Sequence, residues 1–437
     1  MLRERNMTAM RRLRMAAAVA VLTMTIPQAL DGASVANSAP PAGACHDPAP
    51  ARAQVRAQPW AQQVLTPERA WPHSRGAGVL VAVVDSGVDA DHPQLRRPGK
   101  VRAGRDFYLS GGHPGAFDCV SHGTGVAGII AADPLPGIGF RGVAPDAEIL
   151  PVRVSDRDLG DQGEQLRIDP QVVANGVRYA ADQGAKVINL SLAGFDDFAV
   201  IRDAVAYAVS RDALVVAAAG NGQRDTTVAF PSYPASYEGV LGVGAVDIDG
   251  ARMTGSQIGS YVDLMAPGAK VLTAARVDGH AYVDGTSFAT PFVAGTAALV
   301  RAAWPRLSAP EVARRLIATA APSRGGNGSA AYGHGLVDPY RAVTDGLDTR
   351  GPDALPAHVP RPPDQARLDR AAAEESTAET AKWCTAAVVG ALAVAVLLAL
   401  VVPRGKRRHW RAGRARAVPV EPPTVEPPEQ VFLISGR

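Results

Sequence analysis

Runs of wholly apolar residues alternate with helically spaced stretches through the middle of the chain. Residues 79–84, Val-Leu-Val-Ala-Val-Val, contain no polar position, and residues 147–154, 185–192, 213–219 and 239–247 read as further strands. Residues 170–183 and 198–211 read as helices between them. A strand without polar alternation is buried on both faces. The pattern therefore predicts an α/β fold, a doubly wound and mostly parallel sheet with helices on both faces, whose sites lie at the carboxyl ends of the strands. Gly285-Thr286-Ser287-Phe288-Ala289-Thr290-Pro291, running on to Val300, predicts a tight turn and then a helix with no polar stripe. Ser287 stands at its N-terminus and Pro291 in its first turn, where the missing amide costs nothing. Ser308-Ala309-Pro310-Glu311 caps a further helix over 311–320, and the compact region ends near Asp345. Residues 155–168, polar and charged, read as an exposed loop.

The ends of the chain follow different rules. Arg11-Arg12-Leu13-Arg14 precedes an apolar run at 15–26 and the small residues Ser34-Val35-Ala36, so residues 1–36 read as a secretory signal peptide. Residues 37–59 are rich in Pro and Ala and predict an irregular extension, and the compact domain is expected over 60–345. Residues 346–382 have no apolar period and read as a linker. Residues 383–402 are uncharged and long enough for one transmembrane helix, with Trp383 at one edge and Arg404, Lys406, Arg407 and Arg408 beyond the other. The positive side stays in the cytoplasm, which places 37–382 outside the cell membrane and the tail, 403–437, inside.

Charge supports this division. The net +3 over 437 residues conceals +3 in residues 1–36 (five Arg against Glu4 and Asp31) and +5 in residues 403–437 (eight Lys/Arg against three Glu), leaving about −5 for the body. A mildly acidic body carries no nucleic-acid footprint, and the basic tail reads as orientation plus attraction to lipid head groups. Of three cysteines, Cys45 and Cys119 fall in the same exported region and are expected to form one bridge, while Cys384 belongs to the membrane edge.

Four polar residues mark the ends of apolar segments. Asp85 closes the first strand, His122 opens a Gly-rich helix, Asn221 follows Val215-Val216-Ala217-Ala218-Ala219-Gly220, and Ser287 opens the apolar helix. A serine hydroxyl becomes a nucleophile when an imidazole takes its proton, and a carboxylate can hold that imidazole in the required tautomer. The wording Val-Val-Asp-Ser-Gly, His-Gly-Thr-Gly-Val-Ala-Gly, Ala-Ala-Gly-Asn and Gly-Thr-Ser-Phe-Ala-Thr-Pro, with the order Asp, His, Ser, closely resembles the subtilisin-like serine proteases over about residues 78–345. The resemblance implies a subtilisin-like fold, peptide or protein substrates, a triad of Asp85, His122 and Ser287, and an oxyanion hole from the Asn221 amide and the Ser287 backbone N–H. Ser191-Leu192-Ala193-Gly194 is similar to the strand edge that pairs with the substrate main chain. The overall layout, with Trp60, Pro67-Glu68-Arg69-Ala70-Trp71-Pro72 and Cys119 ahead of His122, resembles the mycosins, which implies a place in a type VII secretion membrane complex. The extension is too short for a folding propeptide and is expected to be a permanent brace. Position 289 is Ala, so the Gly-x-Ser-x-Gly elbow of a lipase is missing. No cluster has zinc spacing and no loop cradles phosphate, so neither metal nor cofactor is implied; although some subtilisin relatives bind calcium, no acidic loop here suggests ligands.

Overall fold

The computed structural model describes residues 40–109, 112–156, 168–224, 228–322, 324–347, 381–382, 385, 388–392, 395 and 398–407. Two compact units result, Met1–His358 and Val359–Arg437. The signal peptide, almost all of the linker and most of the tail fall outside the described residues.

In the first unit the apolar strands form one seven-stranded parallel sheet. Its strands are β1 (Leu80–Asp85), β2 (Arg105–Asp106), β3 (Glu148–Arg153), β4 (Val187–Leu190), β5 (Leu214–Ala218), β6 (Val240–Val246) and β7 (Leu264–Pro267), in the spatial order β2-β3-β1-β4-β5-β6-β7. β1 is buried at every position because successive side chains enter different cores. Val81 and Val83 pack with Val126, Ile129, Phe292 and Val293 on one face. Leu80, Ala82 and Val84 pack with Val173, Val177 and Val205 on the other. Two-sided burial is what removed polar alternation from the strand.

The helices supply those two layers. Following the short α1 (Trp60–Leu65), α2 (His122–Ala131) and α5 (Thr286–Ala303) cover the first face, and α3 (Pro170–Asp182) and α4 (Ala199–Ser210) cover the second. Every residue of α5 from Thr286 to Arg301 is buried, as the absent polar stripe requires. Both α6 (Ala309–Ala318), with a capping box between Ser308 and Glu311, and α7 (Pro339–Thr344) finish the unit. An antiparallel hairpin of β8 (Val271–Ala274) and β9 (His280–Val283) stands beside α2.

The extension is irregular yet firmly placed. Cys45 is bonded to Cys119, the Ala49 N–H donates to the Cys119 carbonyl, and Arg276 reaches the Ala49 carbonyl. Farther on, Arg52 N–H donates to Asp278 O and His280 N–H donates to Ala53 O, so the extension lies along the start of β9. Its pairing comes from the hairpin, which local sequence does not reveal.

In the second unit, the described residues of 383–402 (385, 388–392, 395 and 398–402) are helical, with Val388, Val389, Leu392, Leu398 and Leu400 exposed. Among the described residues no helix is long and apolar enough to cross a membrane.

Candidate active site

Asp85 is the last residue of β1, at the carboxyl edge of the sheet. Ser86 and Gly87 then turn the chain sharply, with Gly87 at φ 100°. A side chain there would strike the Phe117 carbonyl oxygen at 1.9 Å, and one at Gly123 would strike the Gly87 carbonyl at 2.0 Å. Two glycines thus let the end of β1 and the start of α2 touch backbone to backbone. This contact brings His122, the first residue of α2, onto Asp85: Nδ1 lies 2.7 Å from Oδ1 and both side chains are fully buried. Asp85 Oδ1 also accepts the Ser86 N–H at 2.7 Å, and the resulting geometry makes Nδ1 the donor.

The start of α2 is fixed by a residue that the motifs did not single out. Asp118, four positions before His122, accepts from Val120 N and Ser121 N on Oδ1 and from Thr124 N and Thr124 Oγ1 on Oδ2. Ser86 Oγ donates to Asp118 Oδ1 at 3.1 Å and accepts the Gly123 N–H at 2.9 Å, tying the strand end to the helix start. Burial pushes the Asp118 carboxyl above its ordinary value, and the hydrogen bonds from Thr124 and Val120 oppose that shift. The only sequence signal was an Asp ahead of a helix, which usually means a cap.

Ser287 is the second residue of α5, and Gly285 before it, at φ 145°, forms the turn. Pro291 lies in the second turn of the helix and not, as expected, in the first. Without an amide, Pro291 cannot donate to Ser287 O, its partner four residues back. Ser191 Oγ, at the end of β4, donates to that carbonyl instead at 2.6 Å, and Asn189 Nδ2 donates to Ser191 Oγ in turn. Ser287 Oγ itself is buried and has no hydrogen-bond partner among the described residues. The His122 ring lies 4.9 Å, centroid to centroid, from Phe288, the next residue of the helix.

Asn221 joins the same space from the end of β5. Its Oδ1 accepts from Thr286 N at 2.9 Å and from Thr286 Oγ1 at 3.1 Å, and Gly220 N donates to Thr286 Oγ1. With the oxygen so engaged, Nδ2 faces the other way. A point one bond out from the Gly285 Cα lies 3.1 Å from Ser287 Oγ and 3.3 Å from Asn221 Nδ2, so hydroxyl and amide border one small space. Thr286, which sets the amide's direction, was hidden in the sequence as one small residue of a Gly-Thr-Ser turn.

Beyond Ser191 the chain becomes exposed through Ala193 and Gly194. Gly194 exchanges both of its main-chain hydrogen bonds with Tyr233, at 2.8 Å each. Leu192 and Ala193 therefore lie between a buried serine and a paired glycine. Among the described residues no group of three or more His, Cys, Asp or Glu side chains could hold a metal ion.

Comparison with known proteins agrees with this geometry. Residues 76–335 match the subtilase family, peptidase S8. The chain is 39% identical to thermitase of Thermoactinomyces vulgaris over 282 residues, 64% of this chain and 94% of that protein. To mycosin-4 of Mycobacterium tuberculosis it is 36% identical over 374 residues, 76% of this chain and 80% of that one. It spans 64% of the length of the thermophilic serine proteinase of Bacillus sp. strain AK1, at 41% identity over 63% of its own length. Among solved structures, MycP1 of the ESX-1 type VII secretion system superposes with a TM-score of 0.61 at 31% identity, covering 71% of this chain and 92% of that chain. MycP3 protease of the type VII (ESX-3) system does so at 0.58 and 34%, covering 68% and 91%. With a buried Asp–His pair packed against Phe288 of the helix that Ser287 opens, and with relatives of this kind, the chain belongs to the subtilase family of subtilisin-like serine proteases, where it is similar to the mycosins.

Proposed function

We propose that this chain is an extracytoplasmic serine endopeptidase, held to the cell membrane by one helix at 383–402, that cleaves peptide bonds with Asp85, His122 and Ser287. The observation that carries the reading is the 2.7 Å contact between His122 Nδ1 and Asp85 Oδ1, with the His122 ring 4.9 Å from that of Phe288, the residue after Ser287. Ser287 Oγ attacks the peptide carbonyl while His122 Nε2 takes its proton, and Asp85 stabilises the imidazolium that forms. The negative oxygen of the tetrahedral intermediate is met by Asn221 Nδ2 and the Ser287 N–H; losing one such donor costs about 3 kcal/mol. His122 then protonates the leaving amine, and water, deprotonated by the same ring, releases the acyl group. The main chain of Ser191, Leu192 and Ala193 supplies the edge along which an extended substrate pairs, with Gly194 anchoring that edge to Tyr233.

Similarity to the mycosins supports association with a type VII secretion membrane complex. A second reading, a stabilising component of that complex with proteolysis secondary, is favoured by the apolar stretch and basic tail after the protease unit. One substitution separates the two. In the full-length protein Ser287→Ala should lower peptide cleavage about a million-fold, and export supported by this variant would assign the secretion role to scaffolding. Undiminished cleavage by Ser287→Ala would refute the triad.

A further inference from the structure

The protease reading fixes where the substrate's acyl residue must lie, and this inference rests on it. With the carbonyl carbon at Ser287 Oγ and its oxygen at Asn221 Nδ2, the Cα of that residue comes beside Gly220, which precedes Asn221, and faces the edge from Ser191 to Ala193. These two segments prolong β5 and β4, which are neighbours in the sheet with Leu190 opposite Ala217. Gly220 is held in place because its N–H donates to Thr286 Oγ1 and its carbonyl accepts the Gln257 N–H at 2.9 Å.

The space that a side chain on Gly220 would take is already occupied. A Cβ built there would lie 1.8 Å from Gln257 Oε1, 2.8 Å from Gln257 Cδ and 3.4 Å from the Ala193 methyl. One built at Gly222 would lie 2.9 Å from the Phe195 ring and 3.9 Å from Gln257 Cδ. Gln257 is 3% exposed, and its Nε2 reaches the Pro231 carbonyl at 3.5 Å. Seating a large side chain means displacing a buried carboxamide out of a packed site, and overpacking of that kind is destabilising.

We propose that Gln257 and Ala193 close the slot beside Gly220, so that the enzyme cuts after alanine, glycine or serine and rejects leucine and phenylalanine at that position. Every other substrate residue is left to the open edge at Leu192 and Ala193.

The test uses the full-length membrane protein and a peptide set differing only in the acyl residue, Ala, Leu or Phe. Wild type should favour Ala over Phe by about a hundredfold in kcat/KM, and Gln257→Ser and Ala193→Gly should each narrow that ratio about tenfold. Two independent single variants keep the outcome readable if one folds poorly. A small alkyl fluorophosphonate, which carries no such side chain, titrates Ser287 in each preparation. Labelling of Ser287 together with a preference for Phe, or with a ratio that neither variant moves, overturns the slot and leaves the protease reading standing. Absence of both labelling and cleavage in wild type overturns the two together.

Discussion

A proline one turn farther into α5 than the sequence suggested decides how Ser287 is held. Pro291 leaves the Ser287 carbonyl without its helical donor, and the Ser191 hydroxyl fills that place from another element. The motif wording identified Ser191 with a substrate edge; its side chain is 1% exposed and turned inward to Ser287. Replacing it by alanine removes the donor to a buried carbonyl and the acceptor for Asn189 Nδ2, at a cost of about 1–3 kcal/mol. Urea unfolding of Ser191→Ala should show that loss, and kcat should fall more than KM rises because the hydroxyl acts on Ser287 and not on the peptide. An unchanged midpoint with unchanged kcat would remove Ser191 from this role. At this scale the sequence marked Asp85, His122, Asn221 and Ser287, because each stands at the polar end of an apolar segment. It did not mark Thr286, Ser86 or Asp118. Their value lies in who accepts from whom across elements 32 to 66 positions apart, and no local pattern encodes that.

At the scale of elements, long apolar segments were legible and short ones were not. The strand expected at 147–154 is β3, and the helix expected at 170–183 is α3. β7, four residues ending in Pro267, and the β8–β9 hairpin passed unnoticed, since runs of four carry almost no period. That hairpin is what receives the extension, through His280. Its Nδ1 accepts the Val55 N–H at 3.0 Å while its Nε2 meets Gln94 Oε1 at 2.8 Å, an arrangement open only to the neutral ring. Burial, with some help from nearby His92, pushes His280 down to about 4 against Asp278, which pulls the other way; His92 is itself lowered by burial, with Asp89 and Asp278 opposing. Below an ordinary value of 6.5 the unfolded chain takes a proton that the folded chain declines. Stability therefore declines as pH falls from about 6.5 to about 4 and loses nothing further from this group beneath that. Thermal midpoints should drop across that window, with amide exchange at Val55, corrected for intrinsic rate, rising in parallel. His280→Asn, which keeps an acceptor near Nδ1 but does not titrate, should flatten both curves. Equal slopes in wild type and variant would show that the extension is held by other means.

For the molecule as a whole, the open question of physics is what surrounds the second unit. In the first, the apolar side chains on both faces of the sheet are buried in two cores. In the second, Val388, Val389, Leu392, Leu398 and Leu400 are helical and between 51% and 62% exposed. Exposed apolar side chains of that kind mark a surface that meets hydrocarbon or protein. Twenty helical residues would span about 30 Å, the thickness of a bilayer core, and the run of arginines from 404 onward suits the cytoplasmic face. We expect the full-length protein to sediment with membranes and to resist extraction by alkaline carbonate, whereas a chain ending at residue 347 should be released into the soluble fraction. Added protease on intact cells stripped of their outer layers should digest the catalytic unit and spare an epitope placed in the tail. Carbonate release of the full-length protein would show that the apolar surface is covered by a protein partner instead of lipid, and the single-pass topology would then be wrong. Because Asp85, His122, Asn221 and Ser287 all lie in the first unit, the released chain should still react with the fluorophosphonate, which separates loss of the anchor from loss of the fold.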